Sequence, residues 1–411
     1  MPMKLRYAAT IRNSNVDKVV DANEDAVRLC NYVHVYKNYD ITADMEFDLG
    51  SANAAEITTF GLKVGDVVIT KDSEDRTDIG VPAMVRSTAA DLVCGYHLTI
   101  LRPRTGLTYG PFLFYALLSK PAREAFSLAA NGVTRYGLTQ SGMRQISIPF
   151  PEFEAQKVIA DFLYQETARI DQLIERKQGF LFTISERLEA LVAEALKCDT
   201  LNWVRFERLA ERVLRPVLLS EHQELVRLGL FNRGRGIFKK PAADEEGMGD
   251  SDFFFVRNGD LILSGQFAWE GAVAMASEDE DDCVVSHRYP VYRGRLVQTE
   301  YLLALFRSKH GDFVLNDASR GSAGRNRPLN TWRLGKEKLP IPPTTLQEQI
   351  GKTIKLEREL RKKNAQSVSR LREYRAALIT AAVTGQIDVT IYDRHGITDR
   401  ALDKIEAEAD A

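Results

Sequence analysis

Arg320, Arg325, Asn326 and Arg327 crowd into one stretch of small and turn-forming residues, SRGSAGRNRPLN at 319–330. An arginine fork matches the two acceptors on the major-groove edge of guanine, and an asparagine amide matches the acceptor and donor of adenine. The glycines let the backbone come close to a duplex, so this loop reads as a base-contacting segment rather than a solvated hinge. A smaller version, Asn131, Arg135 and Tyr136, lies in ANGVTRYGLT at 130–139, where contact and hinge remain equal readings. Arg233 and Arg235, followed by Lys239 and Lys240, form another basic segment, readable equally as a flexible surface turn. Lys71, after the run GDVVIT, could face a nucleic acid or be a solvated strand end. Arg102 and Arg104 read as plain strand-end charges, and Phe253-Phe254-Phe255 as core rather than a stacking platform.

Reaction centres are harder to find. A Walker A loop would need Gly-Lys-Ser/Thr after its glycines, and Gly321-Ser322-Ala323-Gly324 lacks it. An adenine methyltransferase loop needs Asn/Asp-Pro-Pro-aromatic, whereas Pro342-Pro343 sits between Ile341 and Thr344. There is no His-Glu-x-x-His, and the six histidines are scattered, which argues against zinc. The acidic run Glu278-Asp279-Glu280-Asp281-Asp282 reads as a solvated loop, not a magnesium site. We therefore expect no catalytic residue, no cofactor and no metal site: a binder, with a divergent methyltransferase or a coiled-coil scaffold as rivals.

The elements that would position these residues are read from a repeat. The chain has 411 residues, 44% hydrophobic and 27% charged, room for two or three domains. Its formal charge of −2 argues mildly against a nucleic-acid binder but leaves room for a local basic groove. No apolar run approaches the ~20 residues of a membrane span. Cys30, Cys94, Cys198 and Cys283 form no CxxC pair and read as reduced thiols of a cytoplasmic protein. ISIPFPEFEAQKVI at 146–159 aligns without gaps with EKLPIPPTTLQEQI at 337–350, matching Pro149 with Pro340, Pro151 with Pro342 and Gln156 with Gln347. GDVVIT (65–70) matches GDLILS (259–264), Val27-Arg28-Leu29 matches Val226-Arg227-Leu228, and FLFYALLSK (112–120) matches YLLALFRSK (301–309). Shared order at an offset of roughly 190–200 residues signifies a duplicated domain pair.

Each half predicts a mixed globular part, then a proline-rich passage and a long proline-free helix. We place globular domains at 1–150 and 200–340, helices at 151–199 and 341–390, and a charged tail at 391–411, an exposed helix or a frayed end. Ile159, Leu163, Ile170, Leu173, Leu181, Ile184, Leu188 and Leu191 mark one face of the first helix, with a stutter around Lys177. Ile350, Ile354, Val368, Leu371, Leu378 and Val383 mark the second, which the alignment makes about four residues shorter with a polar middle. Some 40 residues make a rod on the order of 60 Å that needs a partner face. The expected fold class is α+β: two similar mixed α/β domains separated by two long helices packed as an antiparallel coiled coil.

This arrangement resembles the specificity subunits of type I restriction–modification systems. LPIPPTTLQEQI (339–350) and LREYRAALITAAVTGQIDV (371–389) carry the likeness most strongly, and GDVVITK (65–71) resembles that family's recognition-domain pattern. The first half departs at Ala155-Gln156 and at its LKCDT helix end. The resemblance implies a double-stranded DNA target in two parts, methyltransferase subunits docked on the helices, and restriction–translocase subunits joining through the complex. Phe162, Phe180 and Phe182 are the candidate methyltransferase contacts. Unequal helices and dissimilar domains would give an asymmetric target with half-site centres one or more DNA turns, ~34 Å, apart.

Overall fold

The computed structural model describes residues 2–197, 202–249, 251–319, 327–392 and 396–410. The chain divides into two compact units, residues 1–176 with 365–411, and residues 177–364. Each unit owns one globular part and half of each long helix. The first helix runs Phe153–Leu196 and the second Thr344–Thr384, 44 and 41 residues, so the difference is three where the alignment anticipated four.

Apolar side chains at helical spacing explain why each half-helix stays in its unit. In unit 1, Ala160, Leu163, Ile170 and Ile174 share one buried cluster with Leu371, Leu378, Ile379 and Val383. In unit 2, Leu188, Leu191, Val192 and Ala195 pack with Ile350 and Ile354. Within unit 2, Lys177 meets Asn364 while Leu188 to Ala195 meet Ile350 and Ile354, so the helices there run antiparallel. Between Ile174 and Ile184, and between Ile354 and Val368, no described apolar side chain is fully buried. Polar contacts take over there: Asn364 Nδ2 donates to the Lys177 carbonyl at 2.8 Å in unit 2, and just outside the stretch Arg375 donates to Asp171 at 3.0 Å in unit 1. Glu357 is buried, which disfavours its charge, yet bonds from Arg307 and Arg361 hold its carboxyl below the usual range.

The globular parts repeat one scaffold. In unit 1 a sheet runs in the order Ala9–Asn13, Leu98–Pro103, Val67–Thr70, Pro82–Val85, Asp40–Ile41. Unit 2 repeats the first four places as Ala210–Val213, Val291–Gly294, Leu261–Leu263, Val273–Met275. A second sheet in unit 1 orders Asp48–Ala52, Asp25–Cys30, Leu92–Cys94; its counterpart orders Ile237–Ala243, Leu225–Leu230, Val284–Ser286 and adds Phe253–Phe255. Phe253 is buried and its two neighbours are half-buried, as a core strand requires.

The Gly-Asp turns show how the repeat works locally. Gly65 and Gly259 adopt φ +89° and +84°, the left-handed region that glycine enters without a Cβ clash. Each following aspartate is buried and accepts the backbone N–H three residues back, Lys63 and Arg257, at 2.8 Å. Asp66 also takes a two-pronged bond from Arg102 at 2.8 and 2.7 Å. Asp260 receives Arg215 and Arg293, each at 2.6 Å. Arg102 is therefore a clamp on a buried carboxylate and not a bare strand-end charge; Arg104 donates to the Arg6 carbonyl at 3.1 Å.

One sequence match shifts by a residue. Leu29 lies opposite Val93 and Arg227 opposite Val284 in the parallel strand pairs. Val93 and Val284 are equivalent, since each also bridges a residue four before the Gly-Asp glycine, Gly61 and Phe255. Arg227 thus occupies the place of Leu29, not of Arg28. An irregularity between Val226 and Leu228 lies at this point of the strand. The tail also differs from a wholly exposed or frayed end. Ile397–Asp410 is helical, Leu402 and Ile405 pack on the unit 1 cluster, and Arg169 pairs with Asp399.

Removing one member of a buried ion pair strands its partner, at a typical cost of about 3–5 kcal/mol. Asp66→Ala should lower the unfolding free energy by about 3 kcal/mol in urea titrations. Asp260→Ala, which strands two arginines, should lower it at least as much; losses under about 1 kcal/mol would show that these clamps do not hold the sheets.

Candidate nucleic-acid interface

Strand ends bring the unit 1 candidates together. Lys71 follows Val67–Thr70; its N–H donates to the His97 carbonyl at 3.1 Å, and its carbonyl accepts the Leu138 N–H at 2.8 Å. Next to it, Asp72–Ser73 pairs with Tyr136–Gly137 in a short antiparallel ribbon. Asn131 and Gly137 exchange backbone hydrogen bonds of 3.0 and 2.8 Å, closing a tight loop with Arg135 exposed in it. Gly132 makes that closure possible: its φ is +135°, and a Cβ there would lie 2.0 Å from the Arg135 carbonyl oxygen. Val133 at the tip is 89% exposed. The Asn131 amide donates to the Ala129 carbonyl at 3.0 Å.

Lys71 itself is half-buried. Its ammonium donates to the Ser14 carbonyl at 3.2 Å and lies 4.5 Å from the Tyr96 ring centre, so it is not a solvated strand end. Sequence reasoning missed the aromatic groups gathered here. Tyr32 and Tyr36 stack at 5.3 Å, their spacing of four on a short helix being the one legible signal. Burial raises the Tyr32 hydroxyl pKa, as does Asp78, while a bond with Ser73 and the field of Arg135 oppose the rise. Tyr36 donates to Asp78 at 2.5 Å, which pushes its pKa up to about 12. His97 Nδ1 lies 2.8 Å from Asp72.

Unit 2 uses the same frame with other side chains. The Gly265 N–H donates to the Arg288 carbonyl at 2.7 Å, and its carbonyl accepts the Leu329 N–H at 2.8 Å. Gly265, Arg288 and Leu329 therefore stand where Lys71, His97 and Leu138 stand in unit 1. Of the candidate loop, Arg320, Arg325 and Asn326 lie outside the described residues. Arg327 is exposed, with its guanidinium 5.3 Å from the Trp269 ring centre, a cation–π geometry.

Arg233 and Arg235 sit at the tip of the hairpin joining Leu225–Leu230 to Ile237–Ala243. That tip is pinned rather than flexible. Arg233 has φ +59°, its N–H donates to the Glu270 carbonyl at 2.8 Å, and the Gly234 N–H donates to the Gly271 carbonyl at 2.7 Å. Arg235 donates to the Asn232 carbonyl at 3.1 Å and lies over Phe231. Lys239 bonds to the Asp279 carbonyl, while Lys240 is exposed. The acidic run is likewise engaged. Asp279 pairs with Lys362 of the second helix at 2.8 Å, Asp282 pairs with Arg257, and Glu280 caps Ser277. It is a strap on the helix of its own unit, not merely a solvated loop. Among the described residues, no group of three histidines, cysteines or carboxylates could hold a metal.

The helix aromatics separate into two kinds. Phe162 is half-buried in the unit 1 cluster, edge-on to Tyr392 at 5.4 Å. Phe180 and Phe182, on the unit 2 half of the first helix, are 54% and 65% exposed.

Residues 53–178 match the family model of the type I restriction modification DNA specificity domain. No curated protein matches the chain. Among solved structures, the type I restriction–modification S subunit from M. genitalium aligns over 93% of this chain and 95% of its own, at 13% identity and a TM-score of 0.50. A chain from a study of complex assembly and conformational transition of the type I R-M system aligns over 94% and 98%, at 14% identity and a TM-score of 0.55. No described helix is long and apolar enough to cross a membrane. Residues 53–178 thus resemble that family's DNA specificity domain, and the fold along nearly the whole chain is similar to that of the solved type I restriction–modification S subunit.

Proposed function

We propose that the protein is the DNA-reading subunit of a type I restriction–modification enzyme, with one unit reading each part of a two-part target. One observation carries this reading. The same backbone frame presents Lys71, His97 and Tyr136 with an exposed Arg135 in unit 1, and Gly265, Arg288 and Arg327 in unit 2. A duplicated frame with unlike side chains at its open end is what two unlike half-sites demand, because sequence is read by base-edge contacts while the scaffold only positions them. The chain does no chemistry of its own. Its methyltransferase subunits dock on the long helices, Phe180 and Phe182 supplying exposed aromatic area, and restriction–translocase subunits join that complex in the cytoplasm. Phe162, turned toward Tyr392, has the lesser part in docking.

Co-expression with the cognate methyltransferase subunit in a methylation-free host, followed by modification mapping, should give one asymmetric two-part motif. Arg135→Ala and Tyr136→Ala should relax only one half of that motif, and Arg327→Ala only the other. Methylation that persists without this chain would return a scaffold role to first place. For docking, Phe180→Ala with Phe182→Ala should weaken methyltransferase association at least about fivefold in a pull-down titration. Phe162→Ala should instead lower the melting temperature of the free chain; equal affinity in the double variant would remove the aromatic docking face.

A further inference from the structure

Three small pockets of unit 2, of about 340, 170 and 240 Å³, run into one another. Gln266 and Arg288 line the first two, and Lys240, Ser286, Arg288 and Tyr289 line the second and third. The resulting trough begins at Pro328 and Leu329, where the arginine-rich loop ends, and reaches Arg227 beside Lys240. It joins the loop exit to the basic hairpin, two segments that the sequence keeps some 90 residues apart. Four permanent cations line it, Arg212, Arg227, Lys240 and Arg288, and no lining residue among the described ones is acidic. The larger cavity of about 630 Å³ by the second helix is different, for it sets Asp279, Glu280, Glu357 and Glu359 among its cations.

Two observations mark the trough as built for an anion. The Nε of Arg227 is buried with no hydrogen-bond partner among the described residues. Buried guanidinium donors are normally satisfied, and this unpaired one belongs to a side chain that lines the trough. The duplicated unit shows what was changed. Leu29, at the place of Arg227, packs with Val27, Ala52 and Val93 in a wholly apolar cluster. Asp72, at the place of Gln266, lies 2.8 Å from Nδ1 of His97, at the place of Arg288. Unit 2 has thus gained a cation and lost the carboxylate.

We propose that this trough seats a backbone phosphate of the DNA, with exposed Lys240 and Arg288 at its mouth and half-buried Arg227 within. The assignment rests on the DNA-reading function above. A phosphate oxygen would pair with the Arg227 guanidinium and relieve the mutual repulsion of the cations. Such a contact fixes register without reading sequence.

The test uses the full chain and two fluorescent duplexes, one with the mapped target and one scrambled, titrated between about 50 and 200 mM salt. Each phosphate contact adds about 0.9 to the salt slope, a change of about 3.5-fold in affinity over that range. Lys240→Gln and Arg288→Gln should each weaken binding at low salt on both duplexes and lower the slope by about one. Gln266→Asp, which restores the carboxylate of unit 1, should do the same while keeping every cation. Arg227→Met should follow them provided its melting curve is that of the parent; the three exposed positions decide the matter if it does not fold. Unchanged slopes in a chain that still binds DNA would overturn the trough and leave the function standing. Loss on the target duplex alone, at constant slope, would overturn the phosphate in favour of a base edge. A parent chain without salt-dependent binding would overturn the DNA-reading function itself.

Discussion

A long helix that leaves a globular domain must satisfy the polar backbone at the junction, and here one buried glutamine does so in each half. Gln156 is fully buried. Its carbonyl accepts the Tyr109 N–H at 2.8 Å, and its amide donates to the Pro151 and Leu107 carbonyls at 3.0 and 3.1 Å. Gln347 repeats the arrangement, accepting the Gln298 N–H at 3.0 Å and donating to the Pro342 carbonyl at 3.0 Å. A buried amide that loses a partner forfeits its full desolvation cost, so the junction geometry tolerates little play. The prolines before the helices serve the same end, since a proline lacks the N–H that would need a further acceptor. From this fixed departure the first half of each helix lays its apolar face on the unit it leaves.

The same economy explains why the scaffold is repeated while the open ends diverge. Ser119 and Ser308 donate to the carbonyl three residues back at 2.6 and 2.7 Å, and Leu5 and Phe206 donate to the Ile146 and Glu337 carbonyls at 2.8 Å. These bonds are buried and directional, so the residues that make them resist exchange. At the end of the Gly-Asp strand the frame is carried by backbone groups alone. Lysine, glycine, histidine or arginine can occupy those positions without altering the hydrogen bonds. Side-chain identity there is released from folding and left to recognition.

Charge follows the same division of labour. A net charge of −2 conceals a local separation. Acidic groups of unit 2 are drawn toward the helix, where Asp279 meets Lys362 and Glu357 meets Arg307 and Arg361. Among the described residues, no carboxylate lines the trough with its cations. Bulk charge is therefore a poor guide to the partner of this chain, because pairing on one face removes acid from another.

The sequence by itself determined the duplication, the class of each half, the two long helices and the likeness to the specificity family. These follow from periodicity, proline placement and matched residues such as Gln156 and Gln347, all local in the chain. Its candidate contacts Asn131, Arg135 and Tyr136 do lie on one closed loop, since the glycine spacing that signals such a loop is also local. Tertiary structure alone decided which charges are at liberty. Lys71 and Lys239 look alike as letters to Lys240, yet one sits on Tyr96 beneath the Ser14 carbonyl and another bonds the acidic strap. The shift of Arg227 into the place of Leu29 was invisible for a related reason. Three letters, Val-Arg-Leu, match better one residue out of step than in true register, and only strand pairing fixes which face a side chain takes.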